Sequence, residues 1–239
     1  MIAVVFLFQY IIAPANFGNF LFSTSNAVFY NPALISDKFH FSAIYGELYS
    51  IPGLNFFSSS ISFKRVSLGA QVVNEEDFYV NSINLGYSFP FQNELRIGIS
   101  GELKQLFVEN KSEVTDGFGL GAGFVIPYST SLVFGFALHN VLVTDKTIFG
   151  PGEIALSSKA RISGDLTIFF DALYDAGSKV SYRLSLNYKI WENLKLMGGL
   201  SSTPASYYLG LTFRDFIKFS YSTSLHPYLG LSHFVELRL

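Results

Sequence analysis

The chain contains no cysteine, so disulfides and thiolate metal sites are excluded. Charge is scarce as well. Charged residues make up 14% of the 239 positions, where a soluble domain carries roughly a quarter. A surface this poor in charge suits a soluble protein badly. The formal net charge of -2 gives no basis for nucleic-acid binding. No stretch reaches the roughly 18 to 20 apolar residues that a spanning helix needs. A membrane protein without such a helix must be a closed barrel, because only helices and closed barrels satisfy every backbone group in lipid.

What the chain does have is alternation. In Lys179-Val-Ser-Tyr-Arg-Leu-Ser-Leu-Asn-Tyr-Lys189, Val180, Tyr182, Leu184, Leu186 and Tyr188 share one phase. Lys179, Ser181, Arg183, Ser185, Asn187 and Lys189 share the other. Successive strand side chains point to opposite faces, so this stretch has one apolar and one polar face. The pattern predicts strands over 38–48, 54–63, 66–73, 80–89, 94–107, 117–126, 131–140, 155–163, 166–174, 179–191, 194–201, 205–213, 216–223 and 231–239. The fold class is therefore all-β: a transmembrane antiparallel barrel of about fourteen strands, apolar outside and polar within. A soluble sandwich or lipocalin-like barrel is the alternative.

Connections after even-numbered strands are short, as at Lys64-Arg65 and Glu192-Asn193, and those after odd-numbered strands are longer, as at Val141 to Ile154. Outer-membrane barrels have short periplasmic turns and longer outside loops, so both termini are expected in the periplasm. Tyr45, Phe89, Tyr128, Tyr207 and Phe213 lie near strand ends, where aromatic girdles form. Ile2 to Ile12 followed by Ala13-Pro14-Ala15 has the form of a secretory signal peptide. The expected organisation is a signal peptide at 1–15, an N-terminal segment at 16–37 and a barrel at 38–239.

The inward phase has two walls. Gly86, Gly98, Gly117, Gly119, Gly121, Gly123 and Gly135, with Ala137, make one of them small. Glycine inside a strand marks either close approach by another backbone or ligand, or a bend, so the wall predicts a packed plug or relieved barrel curvature. The nearest plug is Asn16 to Ser36, since fourteen strands enclose more room than a few side chains fill. The other wall is basic: Lys159, Arg161, Arg183, Lys189, Lys195 and Arg214, with Asp171 as a counter-charge. The Gly117–Gly123 run lacks the following helix of a phosphate-binding loop.

Catalytic arrangements are weak. Ser232 and His233 are adjacent and face opposite sides of a strand, His139 lacks a nameable acid, and Asp37 with His40 is a poor pair. No histidine–carboxylate cluster has metal spacing; Asn74-Glu75-Glu76-Asp77 reads as a solvated loop, with weak calcium binding the alternative. Neither an enzyme nor a cofactor is expected.

Before the first strand comes Asn26-Ala-Val-Phe-Tyr-Asn31-Pro32-Ala33. Asn31 can cap a helical turn that Pro32 opens. An Asn-Pro-Ala segment between a signal peptide and a barrel of about fourteen strands resembles the FadL superfamily. Leu229-Gly230-Leu231-Ser232-His233 is similar to a segment that opens the last strand in its PorV-like members. FadL-type transporters are longer, with large outside loops, and many outer-membrane proteins end in an aromatic where Leu239 stands here. The resemblance implies an integral outer-membrane protein in contact with lipid. It further implies a PorV/PorQ-like accessory barrel that docks partner or exported proteins of a type IX secretion complex. The alternative is a FadL-like passive channel for hydrophobic ligands such as fatty acids or hydrocarbons.

Overall fold

In the computed structural model, the described residues are 26–75, 78–91, 94–108, 113–145, 152–175, 179–202 and 205–239. The expected signal peptide at 1–15 and residues 16–25 of the expected plug lie outside them. Fourteen antiparallel strands close into one barrel. They are β1 (His40–Glu47), β2 (Asn55–Phe63), β3 (Val66–Glu75), β4 (Phe78–Pro90), β5 (Arg96–Val108), β6 (Glu113–Pro127) and β7 (Leu132–Val143). The second half is β8 (Glu153–Arg161), β9 (Leu166–Asp175), β10 (Lys179–Trp191), β11 (Leu194–Ser202), β12 (Ala205–Arg214), β13 (Lys218–His226) and β14 (Gly230–Arg238). Each strand pairs with its sequence neighbours, and β1 pairs with β14 from Ser42↔Arg238 to Glu47↔His233. Closure removes the unpaired edges that an open sheet would present.

The barrel is apolar outside and polar inside. On β10, Tyr182, Leu184, Leu186 and Tyr188 are exposed, while Ser181, Arg183 and Ser185 are buried. The same inversion runs through Ser58, Ser60 and Ser62 against Phe57, Ile61 and Phe63 on β2. A water-soluble barrel would hold the apolar residues inside. Exposed aromatics gather toward both rims. Tyr45, Tyr79, Tyr174, Tyr182 and Tyr207 are on one side, and Phe89, Tyr128, Trp191, Phe213 and Phe219 on the other. Such girdles match the two interfaces of a bilayer. Among the described residues no helix is long and apolar enough to cross a membrane.

Strand positions follow the alternation closely, but several ends lie further out than the sequence predicts. β3 and β4 run to Glu75 and from Phe78, so the expected Asn74–Tyr79 loop shrinks to residues 76–77. β7 runs to Val143, and β13 to His226. Polar residues continue a strand as long as the ladder still pairs them, and Asn74 pairs with both Asn55 and Tyr79. The loop-length contrast that suggested an orientation is accordingly reduced. The difference survives at β1–β2 (residues 48–54) and β7–β8 (residues 144–152). The rim carrying those two connections is the loop rim, and the one carrying His40 and Arg238 is the turn rim.

The β2–β3 turn is tight. Lys64 and Arg65 have φ of 50° and 68°, the left-handed pair that a two-residue hairpin requires. Neither is the glycine or asparagine that enters this region cheaply. The Arg65 guanidinium forks onto Asp37, with Nε–Oδ1 at 2.5 Å and Nη2–Oδ2 at 3.0 Å. That hydrogen-bonded carboxylate raises the affinity of Arg65 for its proton. Lys64 and Arg65 N–H groups also donate to the Asp37 and Ser36 carbonyls. The chain leaving the lumen is thereby tied to the turn rim, and Asp37 serves Arg65, not His40.

Candidate functional site: the lumen and its plug

Asn26 to Ile35 sits inside the barrel. It forms a one-turn helix α1 (Ala27–Tyr30) and a 3-10 turn at Pro32–Leu34. Asn31 is the N-cap of that turn: its Oδ1 accepts from Ala33 N at 3.1 Å. Pro32 takes the first position, where a missing N–H costs nothing. The Asn31 amide also donates to the Phe124 carbonyl of β6 at 3.3 Å, and Ser88 Oγ donates to the Ala33 carbonyl at 3.0 Å. The turn packs against the inner wall near the turn-rim ends of β4, β5 and β6.

Glycine makes that close packing possible. A Cβ on Gly98 would lie 2.1 Å from the Pro32 carbonyl carbon, and one on Gly123 would lie 2.1 Å from Asn31 Oδ1. A Cβ on Gly86 would meet Ile35 at 2.8 Å. Of the sequence-predicted wall, Gly98 and Gly123 face the Asn-Pro-Ala residues, and Gly86 faces Ile35 and Val28 on either side of them. Gly117, Gly119 and Gly135 are buried on the same phase. Gly121 lies at an irregularity of the β6–β7 ladder, with Ser100, Leu138 and His139 nearby. Gly69 on β3 was not singled out from the sequence. A Cβ there would meet Phe29 at 2.3 Å. Its signal was available, since Gly69 shares the inward phase with Ser67.

Asn26 holds the other side of the segment. Its Nδ2 donates to Glu236 Oε1 at 3.0 Å, and its Oδ1 accepts from Ser42 at 3.0 Å and Ser60 at 3.3 Å. Glu236 is fully buried and pairs with Arg238. Sequence reasoning missed this group, although Glu236 and Arg238 alternate inward with Ser232 and Phe234. Across the lumen, Tyr30 packs on Ala137, Ala155 and Leu173 of β7, β8 and β9. The segment thus bridges the barrel from β14, β1 and β2 to β9.

Toward the loop rim the lumen becomes apolar. Ile44, Leu48, Leu54, Phe56, Val73 and Phe234 form one buried cluster, with Tyr49 and Phe78 packed against it. Gly46 makes room for the Phe234 ring. Tyr49, in the β1–β2 connection, donates its backbone N–H to Ser232 Oγ at 2.9 Å, and Ser50 Oγ donates to the Leu231 carbonyl at 3.0 Å. Gly230 opens β14 with φ of 95°. The His226 ring accepts from Tyr228 and Leu229 N–H groups. The His226-to-His233 segment is thereby tied to the β1–β2 connection at the loop rim, the end of the lumen that holds the apolar cluster.

The basic wall divides. Arg183 is buried deep in the lumen, directly opposite Asp171 across the β9–β10 ladder. Ser157 donates to that carboxylate, and Glu153 lies within electrostatic reach of Arg183. Lys159, Arg161, Lys189, Lys195 and Arg214 collect toward the turn rim instead. Ser232 faces the lumen, while His233 faces outward and bonds Tyr221 Oη at 2.7 Å. His139 stands opposite Glu153 in the β7–β8 ladder. Among the described residues no group of three histidines or carboxylates is placed to hold a metal. Glu76 and Asp77 of the weak calcium candidate lie outside the described residues.

No family model and no curated protein matches the chain. Solved structures do. The toluene transporter TodX of Pseudomonas putida aligns with a TM-score of 0.66 at 11% identity, covering 94% of this chain and 95% of that one. A FadL homologue of Pseudomonas aeruginosa aligns at 0.59 and 13%, with 94% and 95% covered. The CymD monoaromatic hydrocarbon channel aligns at 0.59 and 9%, with 90% and 91% covered. The fold is that of outer-membrane β-barrels, FadL-like members among them.

Proposed function

We propose that this chain is an integral outer-membrane barrel acting as a passive channel for hydrophobic small molecules, with both termini in the periplasm. The observation that carries the reading is the apolar cluster of Ile44, Leu48, Leu54, Phe56, Val73 and Phe234, which lines the loop-rim end of the lumen on barrel strands and their connection. A polar lumen needs no such patch to conduct water-soluble solutes. A hydrophobic ligand entering at the loop rim meets it first, and trades hydration for apolar contact. The likeness to a toluene transporter and a monoaromatic hydrocarbon channel supports this reading over docking to a secretion complex. Because Asn26 to Ile35 bridges the lumen, passage requires that segment to shift. The reaction is transfer without bond making, so the lumen's task is to bind weakly and release.

The test is uptake of a labelled monoaromatic hydrocarbon by Gram-negative host cells that lack their own such channel. Expression should raise the entry rate above the empty-vector control. Phe56→Asp should cut the gain about tenfold, while heat-modifiable gel mobility shows an intact barrel. Uptake equal to the control would sink the channel reading. Isolation of the barrel in a stoichiometric complex with a large partner would favour the docking reading.

A further inference from the structure

The turn rim of the lumen carries more unneutralised charge than any other part of the described barrel. Lys189 stands directly opposite Lys195, Arg214 opposite Lys218, and Lys218 opposite Arg238. Like charges placed directly opposite in a ladder repel one another. The repulsion spans the wall: Lys195 is within electrostatic reach of Arg214, Lys189 and Arg161, and Lys159 within reach of Arg161 and Lys195. Arg238 has a partner in Glu236. Among the described residues, no carboxylate forms an ion pair with Lys159, Arg161, Lys189, Lys195, Arg214 or Lys218. The exposed turn residues Asp165, Glu192 and Asp215 pair with none of them. Residues 1–36 contain no Asp or Glu, so the N-terminal segment supplies no counter-charge either.

The contrast with Arg183 is informative. Elsewhere on the inner wall a cation has a carboxylate beside it: Asp171 opposite buried Arg183, and Glu102 beside half-buried Lys104 at 3.5 Å. At the turn rim six cations on a concave wall, Arg161 and Arg214 exposed and the other four part-buried, form no ion pair; Glu236 lies within electrostatic reach of Lys218 but is already paired with Arg238. Such a wall focuses positive potential into the opening. Guanidinium forks and ammonium groups together match the geometry and charge of phosphate and carboxylate oxygens.

We infer that Lys159, Arg161, Lys189, Lys195, Arg214 and Lys218 form an oxyanion-binding mouth at the turn rim, taking a phosphate or carboxylate group. It lies at the opposite end of the lumen from the apolar cluster, and it does not rest on the channel reading. Binding relieves the cross-strand repulsion, so an oxyanion stabilises the barrel beyond what ionic screening does.

Thermal unfolding of the purified full chain in zwitterionic detergent tests this. Chloride is replaced by inorganic phosphate at constant ionic strength, and in a second arm by dihexanoyl phosphatidic acid. Wild-type Tm should rise by about 2–4 °C in phosphate over chloride. Lys189→Gln/Lys195→Gln and Arg214→Gln/Lys218→Gln should abolish most of that rise without lowering the Tm in chloride. A rise in both arms assigns the mouth to free oxyanions, and a rise only with the phosphatidic acid assigns it to lipid headgroups. Line broadening of the phosphate 31P signal by wild-type protein, reduced in the single variant Lys195→Gln, checks the site independently of variant folding. The inference is overturned if neither phosphate source raises Tm above chloride and the 31P signal is unaffected. It is equally overturned if both double variants keep the full rise.

Discussion

At the scale of single residues, a glycine on the inner wall and one in an exposed turn differ sharply in what surrounds them. Gly98 faces the Pro32 backbone, whereas an added Cβ at Gly164 meets nothing within 4 Å. Gly98→Ala cannot be absorbed by rotating a side chain, because the obstructing atoms are main chain. It should cost about 1–3 kcal/mol by overpacking, or push the Asn-Pro-Ala segment from its seat. Gly164→Ala should change stability by less than about 0.5 kcal/mol. Urea unfolding of both variants gives the difference. Protease digestion shows whether the segment has become accessible in Gly98→Ala, and equal stability with equal protection would refute the packing argument. Tyr49 provides a pH test. Burial raises its phenol pKa, so the folded loop favours the protonated ring. The stabilisation this contributes is intact below the ordinary tyrosine pKa of about 10 and fades as pH climbs through the raised value. A 295 nm titration of wild type minus Tyr49→Phe should show one phenol ionising late; a normal midpoint would mean the ring is solvated.

At the scale of elements, the strands were legible and the plug only in outline. A barrel strand lies between two solvents, lipid and a polar lumen, so every second residue reports its side. That is why Lys179–Trp191 can be placed from its sequence almost to the residue. Strand ends are harder, since past the membrane the ladder continues with no apolar signature; Asn74 and Glu75 are paired residues that read as a loop. The Asn31 cap was legible because it is local. The grip of Asn26 on Glu236 was not, because a contact across 210 positions leaves no periodic trace. Of the basic wall, the alternation gave the inward side of each cation but not its depth, so Arg183 looked like the others. The two ends of α1 and its following turn suggest distinct outcomes. Asn31→Ala removes one cap and one bond to β6, and should cost about 1–2 kcal/mol. Glu236→Ala removes the buried carboxylate that Arg238, Asn26 and Ser42 all bond, and should cost about 3–5 kcal/mol. Denaturant titration ranks the two; a larger loss from Asn31→Ala would place the main hold on the segment at β6 instead of β14.

For the whole molecule, the governing fact is the inversion of polarity between wall and lumen, and it makes a depth-dependent prediction. Leu184 lies near the middle of β10 and is exposed on the outer face. Leu239 follows the last strand and is also exposed, but at the rim. In water the two positions are equivalent, and an arginine at either would cost almost nothing. In a bilayer, a charge at the midplane costs about 2–4 kcal/mol and one near the interface about 0–1 kcal/mol. Leu184→Arg and Leu239→Arg should therefore fold equally well into small detergent micelles, which deform around a charge, yet separate on folding into bilayers. The measurement is the equilibrium of folding from urea into lipid vesicles for each variant against wild type. If Leu184→Arg folds into vesicles as readily as Leu239→Arg, the outer face is not a lipid face, and the girdles at Tyr45 and Tyr128 are only surface aromatics. If it alone is penalised, the same alternation that makes fourteen strands out of this sequence also fixes which of its two solvents is the hydrocarbon.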